Sequence, residues 1–441
     1  MVAIFGFGVE GQSLAWYLLK HNVGDLVVFD EGEVSQPVVR ELGVKGVVFR
    51  LGPFEKQGLR QVTLAFRSPG IQRARLKKIL PRGAVISSLS NVFFAQAKGQ
   101  VIAVTGTKGK GTTVKLLEAI FKAVGKKVFV GGNIGRSALD FVDETDSDSI
   151  SIVELSSFQL EDLKRSPQVA VILPVIVDHL DYHRNLEEYL QAKTAIARYS
   201  GETDLIIVAD QANARKIAGG GKGKKYLFST RAVEQGCFLS HGKVKCQSVG
   251  VQKVFSNLSE ISRLEKIPAV DLLAAVTCAF ALGLDFSLEK SMEYFKKPPL
   301  HLELVGEQAG VKYYNDSAST NPISAVAAME MMNGPYALIM GGSSKNLSFR
   351  ALAEAAASDQ NLRVVYLCGA TGVQIEGELK RAGFGQEIVR RETLAEVVKE
   401  LKGRQSPPFR AVLFSPASAS FDQFKNYRER GKIFNELLGI K

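Results

Sequence analysis

The run Val104-Thr105-Gly106-Thr107-Lys108-Gly109-Lys110-Gly111-Thr112-Thr113 constrains this chain more than any other stretch. An apolar stretch, Gln100 to Val104, precedes it and reads as a short buried strand, and Val114 to Val124 follows it and reads as a helix. A strand, a glycine-rich turn carrying a lysine, and a helix N-terminus make a cradle for phosphate: glycines let backbone N–H groups approach the oxygens, the helix end favours the anion, and lysine adds a full charge. A hydroxyl that follows can hold Mg²⁺. The loop is two residues shorter than the usual GxxxxGK[ST], and Gly111 separates Lys110 from Thr112. A nucleoside triphosphate is the expected ligand; a Gly/Lys-rich surface turn is the alternative.

The 441 residues are too many for one core, and roughly three domains are expected. The hydrophobic share of 46% and charged share of 23% are those of a globular chain. No apolar stretch approaches the roughly 20 residues that span a bilayer, and no signal peptide is visible, so no membrane role is expected. Cys237, Cys246, Cys278 and Cys368 form no CxxC pair; they fit a reducing compartment, the cytoplasm, and argue against a zinc site or a disulfide framework. The net charge of +11 admits nucleic acid as a partner. The basic residues are spread out, however, their one dense cluster, Gly219 to Lys225, looks like a flexible loop, and aromatics are not interleaved with them. An anionic small substrate with ATP explains the charge as well, and no nucleic-acid role is expected.

Strand-like and helix-like runs alternate nearly throughout, which predicts an α/β fold with mostly parallel sheets. A first block, residues 1–90, opens with Gly6-Phe7-Gly8-Val9-Glu10-Gly11 between the strand Val2–Phe5 and the helix Gln12–Lys20, and Asp30 ends the next strand. That is a dinucleotide-type fingerprint, with an acid about 20 residues on for a ribose hydroxyl. Residues 91–298 hold the phosphate loop. Residues 299–441 carry strands near Val311–Tyr314, Tyr336–Met340, Val364–Cys368 and Ala411–Phe414.

Glu154 ends a strand and precedes Ser156 and Ser157; a carboxylate there suits a second Mg²⁺, or is a solvated helix start. Asp178-His179-Leu180-Asp181-Tyr182-His183 is the densest ionisable cluster and suits Mg²⁺ ligation or proton transfer, a capped helix start being the plainer reading. Lys193 lies on the next helix, where a lone lysine is ordinarily solvated. Three polar turns, Asn315 to Pro322, Gly341 to Lys345 and Ser415 to Asp422, follow strands of the last block, and together they suggest one binding face.

Taken together, GGNIG (Gly131 to Gly135), ELSSFQLE (Glu154 to Glu161), NDSASTNP (Asn315 to Pro322), SPASASFDQFKNY (Ser415 to Tyr427) and SPGI (Ser68 to Ile71) resemble the Mur ligase family, ATP-dependent amino-acid ligases of peptidoglycan synthesis, along essentially the whole chain. The resemblance implies three domains: an N-terminal Rossmann-like uridine-nucleotide domain, a central P-loop ATPase-like domain and a C-terminal Rossmann-like domain for the amino acid. It implies ATP, Mg²⁺ (two ions), and UDP-N-acetylmuramoyl-L-alanine and D-glutamate as substrates, in a monomer. By likeness, Gly106, Thr107, Gly109, Lys110, Gly111, Thr112 and Thr113 hold the nucleotide, with Lys110 on the β- and γ-phosphates. Thr112, Glu154, His179 and Lys193 form the metal shell, Lys193 as a carbamate; Lys110, His179 and Lys193 are the catalytic set. Asp271, which falls where an Asn usually lies near the adenosine, and His301, in a Leu300-His301 pair that replaces a His-Arg pair, are counted with the nucleotide contacts. Asp30, Ser68 and Gly70 match the uridine contacts, Asn133 a muramoyl contact, and Thr320, Lys345, Ser420 and Tyr427 the glutamate pocket. Alternatives are a related ligase with L-glutamate or a folate-type acceptor, a non-catalytic protein on the same fold, and an NAD-dependent dehydrogenase, which leaves the phosphate loop unexplained.

Overall fold

Short runs of Val, Ile, Leu and Ala build the centres of three separate sheets in the computed structural model, which describes residues 1–54, 56–178, 182–255, 261, 267–344 and 347–439. Strands buried on both faces need apolar residues at successive positions, not alternate ones, and that is the pattern at Ala3–Phe5, Val101–Val104 and Leu338–Met340.

The first sheet has β1 (Val2–Phe5), β2 (Leu26–Asp30), β3 (Val48–Leu51), β4 (Leu64–Arg67) and β5 (Val85–Ser87), all parallel in the order 3-2-1-4-5. The second has β6 (Gln100–Thr105), β7 (Val128–Gly132), β8 (Ile150–Glu154), β9 (Val169–Ile172), β10 (Leu205–Ala209), β11 (Lys224–Ser229), β12 (Gly236–Ser240), β13 (Lys243–Ser248) and β14 (Val251–Phe255), in the order 14-13-12-11-10-9-6-8-7. It is parallel from β7 to β12 and antiparallel beyond. The third has β15 (Glu303–Gln308), β16 (Val311–Asn315), β17 (Tyr336–Gly341), β18 (Leu362–Cys368), β19 (Glu387–Arg390) and β20 (Ala411–Phe414), in the order 15-16-20-17-18-19, with β15 antiparallel. The first two sheets belong to one compact unit, Met1–Ser259 with Ala269–Lys296; the third belongs to a second, Glu260–Pro268 with Lys297–Lys441. No described helix is long and apolar enough to cross a membrane.

Two sequence expectations are corrected. Cys237 and Cys246 are joined by a disulfide, with Cα atoms 4.0 Å apart. They are opposite partners of β12 and β13, which turn at His241 and Gly242, both at positive φ as a two-residue type I′ hairpin requires. A separation of nine residues gives no pairing signal until that register is known. Cys278 and Cys368 are buried thiols. The Gly219–Lys225 stretch is not a loose loop either: its last residues enter β11, and the Lys225 amine donates to the Gly221 carbonyl at 2.8 Å.

A buried ion network joins the first sheet to the second. Arg67, at the end of β4, pairs with Asp162 and donates to the Tyr182 hydroxyl at 2.9 Å and to the carbonyls of Phe158 and Ile71 at 2.5 and 2.7 Å. Removing one member leaves an uncompensated charge, so Arg67→Met is expected to cost about 3–5 kcal/mol in urea unfolding. A loss under about 1 kcal/mol would mean that Arg73, 2.7 Å from the other Asp162 oxygen, suffices alone.

Candidate functional site

In the second sheet the strand order reverses around β6, so the chain segments after β6, β8 and β9 meet at one end of the sheet. The loop after β6 is the predicted phosphate loop. Gly109, at φ 76°, caps the helix Lys110–Ala123, and a Cβ built there would overlap the Asp271 carboxylate. Both the left-handed backbone and this close approach require glycine. Thr107 is tied down: its hydroxyl donates to the Ile176 carbonyl at 3.1 Å and accepts the Ile176 N–H at 3.0 Å, and its own N–H donates to the Pro174 carbonyl. Gly106 packs on Leu173. The Lys110 amine donates to the carbonyls of Gly106 and Thr107 at 3.3 and 3.0 Å. Gly111 and Thr112 lie in the first turn; Thr113 is wholly buried, its hydroxyl without a hydrogen-bond partner, so it faces the core.

Lys193 is not solvated. Its side chain is 1% exposed, and its amine donates to the Thr105 hydroxyl at 3.1 Å and the Gly106 carbonyl at 3.2 Å. Burial holds it well below the ordinary lysine range, the Lys110 charge pushes the same way, and Asp178 and Glu154 oppose them. Lys110, Asp178 and Glu154 therefore all act on Lys193 at the phosphate loop. Glu154, buried at the end of β8, accepts the Asn133 amide at 2.9 Å, which ties the predicted muramoyl contact to the predicted metal ligand. Asp271 is buried beneath Gly109; burial raises its carboxyl well above the usual range, and the nearby Lys110 pulls it back. His179 and Asp181 lie outside the described residues. His183 is a core residue, its ring bonded to the Ser157 hydroxyl at 3.0 Å and stacked on Phe158.

The first sheet gathers the predicted uridine contacts. The Ser68 hydroxyl donates to the Gly6 carbonyl at 2.6 Å, and Asp30 accepts the N–H groups of Phe7 at 2.5 Å and Gly32 at 2.7 Å. Gly70 is exposed, and Gly11 lies so close to Gly6 that a Cβ would overlap its carbonyl. In the second unit the three polar turns form one face. Ser415 donates to Asp316 at 2.7 Å, Ser343 N–H to the Ala419 carbonyl at 2.9 Å, and Phe421 N–H to the Ser343 hydroxyl at 3.0 Å. Arg430, unremarked in the sequence, locks two of them through the carbonyls of Ser317, Ser418 and Ala419. Thr320 is half-buried in the first turn, Ser420 is buried in the third, and Tyr427 starts the helix Tyr427–Leu438. His301 bonds to the Pro299 carbonyl at 2.8 Å and acts electrostatically on Asp316; Lys345 lies outside the described residues.

Residues 104–270 match the Mur ligase middle domain. A UDP-N-acetylmuramoylalanine-D-glutamate ligase of Symbiobacterium thermophilum is 34% identical over 449 aligned residues, 99% of this chain and 97% of the relative. The chain belongs to the Mur ligase family. A ligase of the same name from Acetivibrio thermocellus is 32% identical over 99% of this chain and 96% of its own. Two Thermotoga maritima structures share the Mur ligase fold: UDP-N-acetylmuramate-alanine ligase at TM-score 0.58 and 19% identity, and MurF ligase in complex with ADP at 0.59 and 16%, each covering 99% of this chain and 98% of that one. Within this Mur ligase, sequence reasoning missed Gln159. It carries no role of its own in the ELSSFQLE resemblance, yet its side chain caps its own helix and bonds to Glu10 across the first two sheets.

Proposed function

We propose that this chain is an ATP-dependent ligase that joins D-glutamate to UDP-N-acetylmuramoyl-L-alanine in peptidoglycan precursor synthesis, in the cytoplasm and as a monomer. The carrying observation is Lys193, buried against the phosphate loop beside Lys110 and within the electrostatic reach of Glu154 and Asp178. The cytoplasmic placement rests on the nucleotide substrates and no longer on the cysteines, since two of them are paired. We assign residues 1–90 to the uridine nucleotide, 91–298 to ATP and 299–441 to the amino acid.

A carboxylate acylates an amine only after its oxygen becomes a leaving group. The terminal carboxylate of the muramoyl-alanine attacks the γ-phosphorus of ATP, giving an acyl phosphate and ADP. The D-glutamate amine adds to the acyl carbon, loses a proton, and the tetrahedral adduct expels phosphate to leave the amide. Lys110 turns from its loop carbonyls to the β- and γ-phosphates, and the loop N–H groups orient them. Thr112 and Glu154 would supply a hydroxyl and a carboxylate to Mg²⁺, which keeps several waters and needs only one or two carboxylates; Glu154 and Asp178 both act on Lys193 beside the loop, which suits a cation there. When bound, it neutralises charge building on the transferred phosphoryl group. Burial favours the neutral Lys193 amine, the form that takes up CO₂ as a carbamate, and the carbamate presents a carboxylate in place of a cation. His179 completes this set. Asp271 underpins the loop at Gly109, and Thr107 and Thr113 hold it from within. Asp30, Ser68 and Gly70 border the uridine nucleotide and Asn133 the muramoyl group. Thr320, Lys345, Ser420 and Tyr427 receive D-glutamate, whose two carboxylates suit a cation and hydroxyls, and His301 borders the ATP.

The test is ADP release by the purified chain with Mg²⁺, ATP and UDP-N-acetylmuramoyl-L-alanine. ADP is expected with D-glutamate and not with L-glutamate or without an amino acid. Release with L-glutamate alone would keep the mechanism and change the product. No release, with the UDP-sugar still bound, would favour a non-catalytic member of the fold.

A further inference from the structure

The glycine-rich turn of the first sheet carries an acid where an anion is to bind. Glu10 stands in the first turn of the helix Val9–Lys20, whose N-cap Gly8 contributes no side-chain acceptor and has open space around its Cα. A diphosphate seated on this helix end, as the uridine-nucleotide reading above requires, would use the same N–H groups that a first-turn carboxylate favours. It would also meet a second carboxylate, Asp30, on β2.

The two acids are held differently. Asp30 is fixed by two backbone N–H donors, from Phe7 and Gly32. Glu10 is held by one neutral group, the Gln159 amide, at 2.5 Å. That amide is itself oriented: its oxygen accepts the Ser156 N–H at 2.8 Å, and the Gln159 N–H donates to the Ser156 hydroxyl at 3.3 Å. Among the charged groups around this turn, Arg67 of β4 faces Glu10, but its donors are taken by Asp162, Tyr182 and backbone carbonyls. Glu161 and Asp162 surround that arginine, and Asp140 accepts the Ser13 hydroxyl one turn along the helix. A carboxylate in the first turn of the helix end that takes a diphosphate is pushed toward its protonated form unless a cation joins them.

We propose that Glu10 is a specificity-determining residue of the uridine-nucleotide site, admitting the diphosphate with its carboxyl protonated and facing the phosphate oxygens as a hydrogen-bond donor. One proton from solvent is taken up to form the Glu10 carboxyl O–H, and no bond of the substrate is made or broken. The Gln159 amide still donates to the carbonyl oxygen of the protonated acid, so the link to the ELSSFQLE segment survives. Free Glu10 is already poised for this, because burial pushes it up to about 7 against the opposing effects of Gln159 and Arg67. Its linkage follows from the sign: an anion raises the proton affinity further, so substrate affinity is full below about pH 7 and falls above it.

The experiment is calorimetric titration of the full chain with UDP-N-acetylmuramoyl-L-alanine, whose diphosphate is a diester without a titration of its own near neutrality. It is run at several pH values in two buffers of different ionisation enthalpy. The wild type is expected to take up a sizeable fraction of a proton and to lose affinity by up to ~tenfold per pH unit above about pH 7. Glu10→Gln, which keeps the shape and the acceptor for Gln159, is expected to bind with no uptake and no pH slope. PH-independent binding by the wild type, or an uptake that persists in Glu10→Gln, overturns the proposal and leaves the uridine-site reading standing. No UDP-sugar binding by the wild type at any pH overturns both. Proton uptake by the wild type is read without any variant, so its absence overturns the proposal even where the Glu10→Gln chain fails to fold.

Discussion

Lys193→Ala is expected to lose turnover on the order of 10²–10³-fold and to recover part of it when a short carboxylic acid such as acetate is added. The argument starts from position. A lysine amine 1% exposed, bonded to the Thr105 hydroxyl and the Gly106 carbonyl, costs stability as a cation; as a neutral nucleophile it reacts with CO₂. The carbamate has the shape and charge of a carboxylate, and an alanine leaves a space that a free carboxylate can enter. Steady-state ADP release with and without acetate checks this, as does comparison of the wild type in CO₂-depleted and bicarbonate-containing buffer. Full activity in the plain mutant would remove Lys193 from the machinery. Loss without rescue, in a folded chain, would give it a role as an amine.

Lys110→Ala is expected to abolish turnover, on the order of 10³-fold or more, while UDP-sugar affinity stays within about twofold. Lys110 starts the helix after the phosphate loop, and its amine already lies over the loop carbonyls. In the proposed reading its charge serves the transferring phosphoryl group, and the proposed uridine contacts belong to another sheet. Binding is read by calorimetry on the same preparation used for kinetics. An equal fall in UDP-sugar affinity would mean that the nucleotide and sugar sites have been assigned to the wrong sheets.

How much of this was legible in the sequence depends on range. The phosphate loop, the Gly6–Gly11 turn and the three polar turns of the last sheet are each a strand end followed by a helix start, and local chemistry writes them plainly. Their gathering at one end of a sheet follows from parallel strand order, which alternation of strand and helix already implies. What was hidden depends on register or on partners far along the chain. Cys237 meets Cys246 through a hairpin whose turn residues, His-Gly, are an unremarkable pair. Asp271 reaches Gly109 from a helix that begins 160 residues later and reads as uniformly apolar. Lys193 looks like any surface lysine until the helix Leu186–Lys193 is placed against β6. Gln159 carries two roles in one amide: the cap is written in the Ser156-x-x-Gln159 spacing, whereas the bond to Glu10 depends on a partner far along the chain.

The arginine at the end of β4 has a practical consequence for anyone who cuts this chain. A fragment that stops near residue 90 would take Arg67 into water and strand Asp162, its buried counter-ion, in the remainder. Each piece would then carry one half of a charge pair that neither can neutralise. The sheets look separable when drawn as topology, but the chemistry makes the first a dependent of the second. A saw-cut through residue 90 therefore divides a shared salt.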